Sequence, residues 1–224
     1  MRRSGWIDRS IPLFESDCMS RKRPFSRIAP AITSTLDSLG FNKLSARDSA
    51  YAQGGAAWRS PHGEAHCIIV FLQLWKWGYD PWFGSSFTIN FRRLSYDCEA
   101  TSDTKGFLDL RIMSLVSKNE CEQIAALQNA VIAKGRIPTR EEYQHLKLIP
   151  MTEFNVEEYE KRATPVDAQS IQFSDLWLAF IDDGDVDAWC TFLKSWLPIG
   201  IGRFREMDRY SGCWLDTQSI PWAN

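Results

Sequence analysis

The strongest constraint on the fold lies between Cys67 and Arg93, where two apolar runs of different periodicity flank a turn-rich loop. In SFTINFRR the residues Phe87, Ile89 and Phe91 alternate with Ser86, Thr88, Asn90 and Arg92. A period of two places these sets on opposite faces, so the segment reads as a half-buried antiparallel strand. Ile68 to Leu72, by contrast, is apolar on both faces, as a central strand covered from both sides requires. The connection GYDPWFGSS carries Gly78, Pro81 and Gly84 and predicts a loop longer than the tightest hairpins.

The flanking segments extend this unit into a sheet. AAWRS, the turn residues Pro61, His62 and Gly63, and EAHCIIVFLQLWKW read as a hairpin, and Phe107 to Met113 as a further strand. FSDLWLAFI reads as one more. Helical spacing appears from Phe25 to Leu39 (Phe25, Ile28, Ile32, Leu36, Leu39), with Pro30 expected in the first turn and Gly40 as the stop. Ser117 with Glu120 and Thr139 with Glu142 have the spacing of capping boxes, so a helix is expected after each. A short helix is expected at 156–162. Asp185 is expected to cap a last helix carrying Val186, Trp189, Leu193 and Leu197 on one face and ending at Pro198. The order predicts an α+β fold: an antiparallel sheet of four to six strands with helices packed on it. The expected organisation is a flexible extension over 1–24, a single domain over 25–205 and a tail over 206–224. Met19, followed by SRKRPFSRIAP, suggests that residues 1–18 come from a mis-assigned start.

With 224 residues, 44% hydrophobic and 24% charged, the chain can bury one sizeable core. Its net charge of −2 argues against general affinity for nucleic acid, which draws on neutralising many phosphates. The six cysteines form no CxxC pair and suit a reducing compartment. No apolar run approaches the roughly 18 residues of a membrane span. The opening residues lack the pattern of a signal peptide, so a cytoplasmic location is expected.

Chemistry-bearing clusters are few. His62, Glu64, His66 and Cys67 invite a metal reading but lack a fourth ligand at zinc spacing, and ordinary sheet residues are expected instead. Asp183, Asp185 and Asp187 copy the first three positions of a calcium loop, but Ala188 and Lys194 stand where it needs Gly and Glu. Acidic residues ahead of a helix are the simpler account. No motif for a nucleophile or a phosphate loop is present, so no catalytic residue, metal or cofactor is assigned. Trp75, Trp77 and Trp82 beside Arg92 and Arg93 could form a stacking platform, yet aromatics on a sheet normally build core. Trp82, in the loop, is expected to be the exposed one, with Tyr79 beside it. Between Met151 and Cys190 ten acidic residues, among them Glu157, Glu158, Asp182, Asp183 and Asp185, face two basic ones, a local balance of −8. A solvated face explains this, and so does an acidic docking surface for a basic partner. The first thirty residues are basic, with Arg2, Arg3, Arg9, Arg21, Lys22, Arg23 and Arg27.

LQLWKWGYDPWFGSSFTINF, NECEQIAALQNAVIAKGRIP and DLWLAFIDDGDVDAWCTFLKSWLP, with the LGF of Leu39 to Phe41, resemble bacterial proteins of domain-of-unknown-function family 4304. The resemblance runs from about residue 25 to 205, and the segment after Gly202 matches nothing placed. It implies a cytosolic bacterial α+β protein with no catalytic residues to carry over; some related small families are immunity proteins beside toxins. The function expected is an interaction protein, immunity-type or regulatory, that binds and occludes a protein partner such as a basic toxin. Its contacts would be Tyr79, Trp82, Glu157, Glu158, Asp182, Asp183 and Asp185. The rival expectation is an enzyme or nucleic-acid-processing protein using His62, Glu64 and His66.

Overall fold

The computed structural model describes residues 22–45, 55–61, 66–75, 79–94, 108–146 and 155–207. In chain order these form α1 (Lys22–Ser38), β1 (Asn42–Lys43), β2 (Gly55–Arg59), β3 (Cys67–Leu74), β4 (Ser85–Leu94), β5 (Leu108–Arg111), α2 (Lys118–Ile132), α3 (Arg140–Leu146), α4 (Val156–Ala163), α5 (Ala168–Ile171), β6 (Leu178–Phe180) and α6 (Asp183–Glu206). The six strands make one antiparallel sheet ordered β1-β2-β3-β4, with β5 and β6 both pairing β4. Phe71 lies opposite Asn90 across β3 and β4, Arg92 opposite Asp109 on β5, and Ser86 opposite Ala179 on β6. The α+β architecture expected from the periodicities is the one observed.

The period-two pattern sorts the sheet as physics requires. Trp58, Ile68, Val70, Leu72, Phe87, Ile89 and Phe91 share one core with Ile28, Ile32 and Leu36 of α1, Ile124 of α2, and Trp189, Trp196 and Leu197 of α6. Each fully buried side chain of this size contributes about 1.5–3 kcal/mol relative to exposure. The opposite face of β2, β3 and β4 buries Ala57, Cys67, Ile69 and Leu94. Thr88 and Asn90 are buried there too, so β4 is not the half-buried strand its alternation predicts. Asn90 Nδ2 donates to Gln73 Oε1 at 3.4 Å. Arg93, 2% exposed, continues the core-facing parity, donating to the carbonyl of Phe204 and stacking 5.1 Å above its ring. A cation there meets the negative end of α6.

Helix ends follow their local signals closely. α1 closes in a paired turn in which Phe41 N–H donates to Leu36 O and Gly40 N–H to Asp37 O, with Gly40 at φ 80°. Both expected capping boxes form: Ser117 with Glu120, and Thr139 with Glu142. Glu142 is also bound by Arg136 at 2.8 Å, and the guanidinium holds its carboxyl down to about 2 from an ordinary 4.5. A folded value below the unfolded one means a contribution fully present above about 4.5 and lost as pH falls through about 2. An NMR titration should therefore find the Glu142 carboxyl midpoint near 2, with the first turn of α3 losing amide protection alongside. A midpoint near 4.5 would remove the pairing.

Both proline expectations need correction. Pro30 lies inside α1, which begins at Lys22, and Pro198 lies inside α6, which runs on to Glu206. In α6, Pro198 and Lys194 are exposed while Leu197, Ile201 and Phe204 are buried. The carbonyl left without its donor therefore faces water, and the buried stripe carries the helix onward. The expected strand over 107–113 is β5 followed by a 3-10 turn, Ile112–Ser114. Residues 22–24 belong to α1, not to an extension; residues 1–21 and 208–224 lie outside the described residues.

Candidate functional site

The turn after β3 is organised by one carboxylate. Asp80 and Gly84 exchange backbone hydrogen bonds of 2.7 Å, while Asp80 Oδ1 accepts from the N–H groups of Trp82 at 2.8 Å and Phe83 at 3.0 Å. Its Oδ2 accepts from Tyr159 Oη at 3.2 Å and Arg162 Nη1 at 2.9 Å, both on α4. Arg162 lies 5.1 Å above the Phe83 ring. Burial, then the charge of Asp80, pushes the Tyr159 phenol above its ordinary value, so it stays a donor. The turn and α4 are thus clamped through Asp80.

Trp82 corrects the expectation of an exposed loop aromatic. It is 7% exposed, stacked on Tyr143 at 6.0 Å and edge-on to Tyr159 at 5.9 Å. Helices α3 and α4, arriving from sixty and more residues later, cover it. Tyr79 is half-buried and its hydroxyl donates to Ile181 O at 2.8 Å, tying the turn to the end of β6. Among the described residues the exposed tryptophan is Trp75, at 37%, edge-on to Trp177 at 5.0 Å, while Trp77 lies outside them.

The acidic residues around α6 serve its own start. Asp182, not Asp185, is the N-cap, and Asp185 completes the box from the third position. Lys134 binds Asp182 at 2.8 Å and Asp185 at 2.6 Å; Arg27 binds Asp183 at 2.9 Å and also pairs with Asp187. The Lys134 bond holds Asp182 below the ordinary carboxylate range. Asp185 is 6% exposed and accepts from the N–H groups of Ile181 and Asp182 at 2.8 and 3.1 Å. Arg111 pairs with Asp175 at 3.0 Å. Much of the local charge of −8 is therefore offset by cations from α1, β5 and the end of α2. Glu157, Glu158 and Glu160 remain exposed along α4.

Between β4, β6, α2 and α4 lies an open cleft of about 360 Å³. Its walls are Trp75, Phe83, Val131, Ile132, Val166, Leu176 and Trp177; Ser85, Ser86, Gln128, Glu158, Lys161, Arg162 and Thr164 add polarity. The size and mixed lining suit ligand binding. Comparison with family models, curated proteins and solved structures returned no match. The cleft therefore carries the functional question by its own chemistry.

Of the expected contacts, Glu158 lines this cleft and Glu157 adjoins it, whereas Asp182, Asp183 and Asp185 sit at the start of α6. Trp177, Gln128 and Lys161 have no signal in the sequence that marks them for this cleft. Trp75 is weighed there as part of a stacking platform and set down as core; the alternation in FLQLW, which puts it on the sheet face opposite Leu72 and Leu74, points instead to its exposure. Of the metal-like cluster, His66 is half-buried and Cys67 buried; His62 and Glu64 lie outside the described residues. No group of three metal-ligating side chains occurs among the described residues. Burial pushes the Cys121 thiol up to about 11, with Glu120 adding to it, so at neutral pH it is no thiolate nucleophile.

The clamp gives a direct prediction. Asp80→Asn keeps an oxygen for the two turn N–H groups and removes the charge facing Arg162. Amide exchange in α4 should then rise by about tenfold or more, since a charge-assisted bond is worth about 1.5–3 kcal/mol. Exchange mass spectrometry over residues 155–163 reads this. Unchanged α4 exchange, or equal loosening of the whole sheet, would show that Asp80 does not hold this helix.

Proposed function

We propose that the chain is an interaction protein, of immunity or regulatory type, that works by binding a protein partner at the rim of this cleft and occluding it. The observation that supports it is the combination, at the cleft, of the exposed Trp75 and half-buried Trp177 as a ring pair with the exposed carboxylate Glu158, which has the exposed Glu157 next to it on α4. An aromatic anchor ringed by polar residues is the anatomy of binding hot spots. Charge on the rim steers a complementary, basic partner. The resemblance to family 4304 and a cytoplasmic location belong to the same proposal. The described thiols Cys67, Cys121 and Cys190 are buried and in no disulfide, which suits a reducing compartment. No helix among the described residues is long and apolar enough to cross a membrane.

Affinity capture from native cells tests this with the wild-type chain beside Trp75→Ala and a Glu157→Lys, Glu158→Lys double variant. A protein retained by the wild type and lost by both variants is the expected result. No retained protein, or equal retention by all three chains, would count against the rim as a contact surface.

A further inference from the structure

Gln128, on α2, is 6% exposed, and its Oε1 accepts from the N–H of Ala179 on β6 at 3.0 Å. That bond fixes the orientation of the amide, leaving Nε2 as the end offered to the cleft that Gln128 lines. Nε2 has no protein partner among the described residues. Nε2 meets the solvent of the cleft, so a guest that brings an acceptor can exchange one hydrogen bond to water for one to itself, worth about 0.5–1.5 kcal/mol net. Ser85 and Ser86 border the same space.

The neighbouring strand cannot supply the binding mode. The Ala179 N–H and C=O, which point away from β4, are taken by Gln128 Oε1 and by Trp189 Nε1 at 2.7 Å. The free edge of β6 is closed to an added strand. A guest must then be held by side chains, and the cleft offers Trp75 and Trp177 at an interplanar angle of 78°. Two rings so arranged give an inserted ring one face and one edge to contact.

We infer that the cleft receives an aromatic side chain projecting from a basic segment of the partner, with that segment's backbone carbonyl accepting from Gln128 Nε2. The inference rests on the protein-binding function proposed above. The basic flanks face Glu158 and its neighbour Glu157; Arg162 is already neutralised by Asp80 at 2.9 Å, and among the described residues Lys161 is the cleft cation that opposes them. A guest carboxylate would sit against Glu158, which favours a neutral carbonyl.

The test uses the full chain labelled with nitrogen-15 and four probes: acetyl-Lys-Trp-Lys-amide, acetyl-Lys-Ala-Lys-amide, acetyl-Glu-Trp-Glu-amide and indole-3-acetate. The Lys-Trp-Lys peptide should shift the Gln128 side-chain amide, and the other three should bind at least tenfold more weakly. Gln128→Glu keeps an oxygen for Ala179 and removes the donor, so it should weaken the peptide at least tenfold. Should that variant fail to fold, Trp75→Ala, truncated at an exposed side chain, should show a similar loss. No shift at Gln128, equal binding of the three peptides, or tighter binding of indole-3-acetate would overturn the inference. Failure here with rim-dependent capture intact would leave the protein-binding function standing and remove only the aromatic guest.

Discussion

Trp189→Ala is expected to remove about 3–5 kcal/mol of stability, the range for deleting a large buried aromatic. At roughly 2–4 °C per kcal/mol for a chain of this size, the Tm should fall by on the order of 10 °C. Trp189 is 1% exposed and lies edge-on to Phe87 at 6.4 Å and to Phe192 at 6.2 Å. Its removal opens a cavity between β4 and α6 and leaves the Ala179 carbonyl without the indole N–H that binds it at 2.7 Å. Trp189→Phe separates the two effects, since it keeps most of the ring volume and loses the bond. That variant should cost about 1–3 kcal/mol, the penalty of an unsatisfied buried acceptor plus a small void. Equilibrium denaturation with an unchanged slope gives both values. If the alanine and phenylalanine variants were equally mild, Trp189 would not be the joint between sheet and helix layer.

Where local chemistry decided the outcome, the sequence was readable. Phe87, Ile89 and Phe91 took the face their spacing assigns, and Ser117 with Glu120 capped α2 because both partners lie within one turn. Where the deciding residue is distant, it was not. Trp82 sits among turn-forming residues, and nothing within ten positions announces that Tyr143 and Tyr159 will cover it. The −8 balance over 151–190 was a correct sum along the chain, but Arg27, Lys134 and Arg111 are brought to it only by folding. Pro198 was misjudged for a related reason. Its local veto on helix is weaker than the burial of Leu197, Ile201 and Phe204 around it. The cleft was the least legible feature: Trp75, Gln128, Lys161 and Trp177 come from four elements or their edges, and no spacing connects them.

Gly84→Ala should be at least as damaging as the loss of Trp189, through the backbone alone. Gly84 has φ 68°, in the left-handed region, where a side chain costs roughly 1–2 kcal/mol. A Cβ there would lie 1.9 Å from the carbonyl oxygen of Phe180 and 2.8 Å from the Cα of Ile181, atoms with no rotamer to yield. The end of β6 must therefore move, and with it the pairing of Ser85 with Phe180. A total loss of about 4 kcal/mol or more is expected, in the exceptional range for one substitution. Two other glycines calibrate the claim. Gly40, at φ 80° with its nearest neighbour at 3.5 Å, carries only the conformational part. Gly202, in α6 with nothing within 4 Å, should become more stable as alanine, by about 0.5–1 kcal/mol. Thermal unfolding should thus rank the variants Gly202→Ala above wild type, then Gly40→Ala, then Gly84→Ala far below. A Gly84→Ala chain within 1 kcal/mol of wild type would show that β6 is free to shift, on the order of one ordinary surface substitution. The cleft should register the same strain, because Phe83 and Ser85, the neighbours of Gly84, both line it. Any movement that relieves the contact with Phe180 displaces its wall, so a folded Gly84→Ala chain should bind the Lys-Trp-Lys peptide more weakly than wild type.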